Sequence, residues 1–261
     1  MAIKLGRIPF LNSEVFYQDS PLDLLEVRTY VPSALSYAAR QGEIDLAPVP
    51  IVTCFELENL FVPLGDFGIA VKDKARSIIV FSKRPIEELD GATVALTGES
   101  STSVRLLRVL FARRYNVTPA QYVSTQDPND ALILIGDQAL RNRRGLPSYP
   151  YMYDLAELWN EWTGLPFVFA RWVVRREIDA GTVDFLVSML NRSLDIGLGR
   201  LDEIARQRDD LGMTTAEVRE YLGGFNYRLG EEELKAISLF RGYMDELAKA
   251  EEASKGTRNA G

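Results

Sequence analysis

The apolar positions of this chain fall in short contiguous runs over its first two thirds and at helical spacing over its last third. Ile3, Leu5 and Ile8 make residues 3–8 a strand, which Pro9 ends. Residues 24–30 read as a second strand, stopping before Pro32. Ser33 is then the cap expected for a helix through Arg40, and Gly42 supplies its left-handed stop. Residues 43–49 return as a third strand, and this β-α-β rhythm with short connections favours a parallel sheet. Residues 67–71 and 77–81 are strands separated by the charged turn 72–76. After a polar connection over 85–91, a second β-α-β block begins with a strand at 93–96 and a small polar loop at 97–103. Val104, Leu107, Leu110 and Phe111 then mark one face of a helix. Residues 131–135 are a buried strand closed by Gly136, with Asp137 the expected cap of the next helix. Asp154 is the expected cap of another, with Leu155, Leu158, Trp159 and Trp162 on one face and Gly164 at its end. Residues 167–174 are apolar on both sides and read as a strand running back.

Beyond that strand the pattern is helical to the end. Val183, Leu186, Leu190 and Leu194 form one stripe, and Leu234, Ile237, Phe240, Met244 and Leu247 another. Thr214 and Glu217 have the spacing of a capping box. Residues 250–261 are small and polar and read as a frayed end. The expected fold is therefore α/β with two lobes. Residues 1–83 and 172–261 form a discontinuous first lobe, with the C-terminal helices packed on it, and residues 84–171 form the second. A strand out and a strand back enclose an interlobe cleft, a default ligand site that often closes about a hinge.

Composition narrows the function classes. The 261 residues carry a net charge of −7, which argues against a nucleic-acid partner. An acidic surface still permits a locally positive cleft for a small anion. There is no apolar run of membrane-spanning length and no basic segment leading into an apolar one at the start, so no membrane partner and a cytoplasmic location are expected. Periodicity neither demands nor excludes a dimer. Cys54 is the single cysteine, so no intrachain disulfide forms, and with no histidine to activate it the thiol reads as a core residue. The absence of histidine also removes the usual acid–base group near neutral pH.

Candidate chemistry clusters at strand ends. Asn12 and Ser13 follow the first strand, where open α/β sheets bind ligands, although a turn Asn can equally satisfy its own backbone. The loop 97–103 joins a strand to a helix. Its backbone N–H groups with the hydroxyls of Ser101, Thr102 and Ser103 suit a carboxylate, or else form an ordinary cap. Ser77 sits at the lobe crossover as a second donor, and Arg76 beside it is either an anion partner or an exposed turn residue. Pro48 marks a rigid cleft edge with Pro50, and Gly136 lines the second lobe. Trp159, Trp162 and Trp172 read as core, Glu231, Glu232 and Glu233 as a solvated first turn, and Arg113–Arg114 and Arg143–Arg144 as surface pairs.

Six segments carry a resemblance. Residues 6–13 (GRIPFLNS), 42–49 (GEIDLAPV), 77–82 (SIIVFS), 95–104 (ALTGESSTSV), 135–140 (IGDQAL) and 153–167 (YDLAELWNEWTGLPF) are similar, in this order and spacing, to the MqnA family. Its members are chorismate dehydratases of the futalosine route to menaquinone. The match is collinear from about residue 3 to residue 176. The resemblance implies a type II periplasmic-binding-protein fold and a carbon–oxygen lyase that converts chorismate into 3-[(1-carboxyvinyl)oxy]benzoate and water, with neither metal nor organic cofactor. It implies a catalytic Asn12 in the cleft. Ser13, Pro48, Arg76, Ser77, Ser101, Thr102, Ser103 and Gly136 are then the substrate-binding candidates. The sister MqnD family, which makes 1,4-dihydroxy-6-naphthoate, uses a catalytic histidine, and this chain has none.

The missing imidazole raises the question of the base. Glu14 and Glu99 lie near the motifs, but a carboxylate would repel a dianionic substrate. The expectation is that the substrate's own enolpyruvyl carboxylate takes the ring proton. The alternative reading is a non-catalytic cytoplasmic binding or sensor protein for a small carboxylate, which would return its ligand unchanged.

Overall fold

The computed structural model describes residues 2–19 and 22–258. The chain opens with β1 (Lys4–Arg7) and a 3-10 helix over Leu11–Tyr17. β2 (Glu26–Thr29), α1 (Pro32–Arg40), β3 (Leu46–Pro50), α2 (Ile51–Glu56) and the long β4 (Phe61–Val71) follow. Next come β5 (Ile78–Ser82), β6 (Thr93–Leu96), α3 (Ser101–Val109), which continues as a wider π turn over Leu110–Tyr115, and β7 (Gln121–Ser124). β8 (Ala131–Ile135), α4 (Gly136–Arg141), β9 (Tyr151–Asp154) and α5 (Leu155–Thr163) complete this part. The chain then returns through β10 (Phe167–Arg175) to α6 (Ala180–Gly199), α7 (Leu201–Gln207), α8 (Thr215–Gly223), β11 (Phe225–Arg228) and α9 (Glu231–Arg258).

Two mixed sheets result. The first is six-stranded in the order β11-β4-β10-β3-β1-β2, and the second five-stranded in the order β7-β6-β8-β5-β9. β1 pairs parallel with β2 and β3, and β6 parallel with β7 and β8, as β-α-β units require. β10 runs antiparallel between β3 and β4, where Trp172 is fully buried. Trp172 packs edge-on against Phe16 at 5.3 Å, anchoring the 3-10 helix that carries Asn12. α6 crosses that helix so closely that a Cβ at Gly197 would lie 2.1 Å from the carbonyl oxygen of Val15. The residues after β1 are thus held from both sides.

Several expected features are present. Asp154 caps α5, accepting from Ala156 N at 2.9 Å, and Gly164 ends the helix at φ +71°. The Thr214–Glu217 capping box is closed in both directions. Others differ. Ser33 is not a cap: Val31 holds that position, and Pro32, which has no N–H to satisfy, opens α1. The second strand is shorter than 24–30 because Leu22–Leu24 forms a 3-10 turn before it. β4 begins at Phe61, six residues before the expected start, and tolerates Pro63 at a register shift.

The region after β10 is not helical throughout. Phe225 and Tyr227 alternate with exposed or half-exposed neighbours and form an edge strand against β4. β7 and β9 were likewise not expected; each has four residues at a sheet edge and too little periodicity to stand out. Ile78–Ser82 pairs in the second sheet, so the chain passes between sheets over residues 72–77 rather than at 83. The helix expected to fray beyond 250 continues to Arg258, and 259–261 lie outside the described residues.

Candidate active site

A cavity of about 60 Å³ lies where the two sheets face each other. From the first sheet's side Asn12, Ser13 and Pro50 line it, and from the second Ser77, Ser100, Thr102, Ser103 and Gly136. The remaining wall is apolar, chiefly Ile8, Phe10, Ile69, Ile78, Ile135 and Phe169. A space of that size holds about two waters, well below the roughly 300–1,000 Å³ of ligand pockets, so the two sides stand closed on each other. Their closure has named contacts. Ser33 N donates to Glu99 O at 3.1 Å, Val52 N to Thr102 Oγ1 at 3.4 Å, and Leu11 N to Asp137 Oδ1 at 3.2 Å.

Asn12 sits on the 3-10 helix just past the carboxyl end of β1, where the exit through Pro9 and the Trp172 anchor place it. Its amide oxygen accepts from the hydroxyl of fully buried Ser13 at 3.4 Å. That contact turns the amide NH₂ outward, and no partner for the NH₂ is found among the described residues. Opposite stands the N-terminus of α3. Ser100 is its cap, accepting from Ser103 N at 3.1 Å and donating to Ser103 Oγ at 3.1 Å. The helix dipole and first-turn N–H groups make this end favourable to an anion.

Ser77, at the crossover, is buried. Its hydroxyl donates to Ala75 O at 3.2 Å and accepts from Tyr221 Oη at 2.9 Å, while its carbonyl accepts from Gly136 N at 2.7 Å. Gly136 has φ +53°, and a Cβ there would meet the Phe10 ring at 2.9 Å, so only glycine lets the two sides approach this closely.

Three expected site residues lie elsewhere. Pro48 is on the same face of β3 as Pro50 but two residues back from the strand's carboxyl end, and Pro50 takes the edge. Ser101 does not line the cavity: the helix starts at Ser101, inside the loop expected over 97–103, with Ser100 as its cap, and the Ser101 Oγ is buried with no partner among the described residues. Arg76 points away. Its φ of +57° lets its N–H reach Asp154 Oδ2 at 2.6 Å, while its guanidinium holds Glu220 at 2.5 Å. Sequence reading missed Ser100, whose position before Ser-Thr-Ser is a capping signal. It also missed Phe10 and Pro32, which carry no chemical signal at all.

Asp137 is not a helix cap either. Its carboxylate takes the Leu11 N–H and the guanidinium of Arg208, which arrives from the end of α7. Arg208 also approaches Glu14 at 3.8 Å, and Arg7 holds Glu14 at 2.7 Å. Burial raises the Glu14 carboxyl above its ordinary value, with Arg7 and Arg208 pulling the other way. Neither Glu14 nor Glu99 lines the cavity, and no Lys, Arg, Asp or Glu among the described residues does. Glu99 accepts from Gln138 at 3.1 Å on the exposed side. Cys54 is also outside, its thiol pushed up to about 12 by burial. Among the described residues no helix is long and apolar enough to cross a membrane.

Known proteins share this arrangement. A solved structure from Archaeoglobus fulgidus superposes with a TM-score of 0.75 at 18% identity, covering 97% of this chain and 98% of that one. The periplasmic aliphatic sulphonate binding protein of Escherichia coli superposes at 0.64 and 12% identity, over 96% and 87%. The architecture is therefore a periplasmic-binding-protein-like fold, with its cleft between the two sheets. In sequence, the chorismate dehydratase of Thermus thermophilus is 31% identical over 256 residues, covering 90% of this chain and 93% of that protein. The 1,4-dihydroxy-6-naphtoate synthase of the same organism is 25% identical, over 91% and 92%. A family model described as menaquinone biosynthesis matches residues 3–246. With nearly the whole chain spanned by that model, this protein belongs to the menaquinone-biosynthesis family.

Proposed function

We propose that this protein is an enzyme of menaquinone biosynthesis, a carbon–oxygen lyase that converts chorismate into 3-[(1-carboxyvinyl)oxy]benzoate and water. The observation that carries the reading is the pairing of an Asn12 amide, whose NH₂ has no partner among the described residues, with Ser77 and the α3 N-terminus around one cavity, in a chain 31% identical to a chorismate dehydratase. The lobes divide where the chain changes sheets, at 72–77 and again at 164–166, and they open to admit the substrate.

Chorismate carries two carboxylates, and the cavity meets them with neutral donors. The first turn of α3 with Thr102 and Ser103 holds one carboxylate. Asn12 and Ser77 address the ring hydroxyl. The hydrogen on the ether-bearing ring carbon passes to the substrate's own enolpyruvyl carboxylate, and the electron pair left behind expels the hydroxyl. The departing oxygen takes that proton and leaves as water, and the ring becomes aromatic. Among the described residues no carboxylate lies on the cavity wall, which supports this assignment of the base. Positioning and donors aimed at the departing oxygen carry the catalysis, with orientation alone supplying up to roughly 7–11 kcal/mol. Glu14→Gln and Glu99→Gln are expected to keep turnover. Loss of turnover in either, with chorismate binding intact, assigns the base to the protein instead.

The direct test is incubation of the purified protein with chorismate and a chelator, followed by mass spectrometry. A product lighter by one water with an aromatic ultraviolet spectrum is the expected result. Chorismate bound and returned unchanged would make the protein a binding or sensor module instead.

A further inference from the structure

Tyr221 belongs to α8, outside both sheets' β-α-β units, and no sequence feature ties it to chemistry. Its hydroxyl is buried and reaches 144 residues back along the chain to Ser77 Oγ at 2.9 Å. The approach is built rather than incidental. Glu217, Glu220 and Tyr221 share one helix face at i, i+3 and i+4. Glu217 binds Arg143 at 3.0 Å, Glu220 binds Arg76 at 2.5 Å, and Tyr221 binds the residue after Arg76. One ion pair therefore seats α8 against the crossover and the other against the segment after α4, and the capping box fixes where the helix begins. Phe225 packs edge-on against the Tyr221 ring at 5.1 Å and holds its plane.

A serine hydroxyl has one proton and two lone pairs. Tyr221 engages one lone pair, and the serine's own proton rests on Ala75 O at a long 3.2 Å. Rotation about the Cβ–Oγ bond swings that proton into the cavity without breaking the tyrosine contact. We propose that Tyr221 is a positioning residue, whose hydroxyl commits Ser77 to act as a hydrogen-bond donor to the departing oxygen of the substrate. A chain of Tyr221 O–H to Ser77 O–H to substrate oxygen polarises along its length, making Ser77 a stronger donor as charge develops. Burial holds the phenol's proton far above its ordinary range, so Tyr221 stays a donor throughout the working pH range. The inference rests on the chorismate dehydratase reading of the cavity.

The test is a double-mutant cycle of Tyr221→Phe and Ser77→Ala, read as kcat and KM for chorismate. Ser77→Ala is expected to lower kcat by about a hundredfold, the scale of losing one donor to a developing charge. Tyr221→Phe, one bond removed, is expected to lower kcat by about tenfold with KM within about twofold. In the Ser77→Ala background it should cost less than about twofold, since its route to the substrate is gone. Equal losses in both backgrounds, or a raised KM with unchanged kcat, would overturn the proposal. Thermal midpoints of all four proteins check folding, and Tyr221→Met carries the same test should the phenylalanine variant not fold. If the wild type binds chorismate without turnover, the dehydratase reading fails, and the same cycle is read as affinity. Coupling between the two positions then retains Tyr221 as positioning Ser77, and additivity refutes it. Neither turnover nor binding by the wild type overturns both.

Discussion

Two hollows flank the crossover between the sheets, and the smaller is the better site. The cleft cavity, about 60 Å³, is lined by an amide, hydroxyls and apolar groups, with no charged side chain among the described residues. The hollow behind it, about 420 Å³, is lined by Lys74, Arg76, Arg143, Arg144, Asp154, Glu157 and Glu217. Size and cations favour the second for an anionic ligand. Three of its four cations are already spent: Lys74 on Glu157 at 2.9 Å, Arg76 on Glu220 at 2.5 Å, Arg143 on Glu217 at 3.0 Å, and the fourth, Arg144, lies exposed to solvent. A ligand there would have to break ion pairs to reach those three, whereas in the cleft it meets donors with unused capacity. Volume shows where atoms are missing, and unsatisfied hydrogen-bonding capacity shows where a ligand is wanted. Tyr221 lines the rear hollow, and its hydroxyl donates to Ser77, which lines the cleft, so one hydrogen bond links the walls of the two.

The largest effect that would break this contrast is at Asn12. Asn12→Ala is expected to lower kcat by about 10²–10³-fold, with chorismate affinity changed far less, in steady-state kinetics and calorimetry. Next is the latch that holds the cleft shut. Arg208→Gln leaves the largely buried Asp137 and Glu14 without their shared cation and should cost about 2–3 kcal/mol in urea unfolding, discounted because Arg7 still pairs with Glu14. Gly136→Ala drives a Cβ into Phe10 at positive φ, and about 1–2 kcal/mol of stability with a reduced kcat is expected. An unchanged midpoint would mean that the two sides do not rest closed in solution.

Acid probes the rear hollow. Arg143 holds the exposed Glu217 carboxyl down to about 2, below its ordinary 4.5. A depressed carboxylate contributes stability above its ordinary value and loses it as pH falls toward the folded one. The wild type should therefore lose stability between pH 4.5 and 2 more steeply than Glu217→Gln, measured as denaturation midpoints at matched salt. The smallest effect is at Arg144, exposed on the rear hollow's rim. Arg144→Ala should leave turnover within about twofold, in keeping with surface substitutions of no structural consequence. A tenfold loss there would move the active site to the wrong side of the crossover for this reading.

Much of the site was legible one residue type at a time. Asn12, Ser13, Ser77, Thr102, Ser103 and Gly136 all line the cleft cavity. They sit at strand ends and helix starts, and those junctions are visible as Pro, Gly, Ser and Asn breaking an apolar pattern. Arg76 was not legible as an ion-pair partner of Glu220, because nothing local announces a residue 144 positions away. Ser101 was grouped with Thr102 and Ser103 as a loop donor, because which of several adjacent serines caps the helix and which faces the cavity is resolved only by the helix geometry. Asp137 read as a cap on composition. It became a latch because Arg208 arrives from a helix whose docking is set by packing against the 3-10 segment.

By itself, the sequence determined the strand–helix alternation, the caps at Asp154 and Thr214, and the order of motifs that marks the family. It also determined that these 261 residues supply no imidazole. These follow from periodicity and from backbone preferences that act over a few residues. Tertiary structure decided which sheet takes Ile78–Ser82, that Phe225–Arg228 adds an edge strand, and that α8 delivers a tyrosine to the crossover. Each depends on surfaces brought together across the whole chain. Their free energies come from burial and pairing at distances along the sequence to which local patterning is blind.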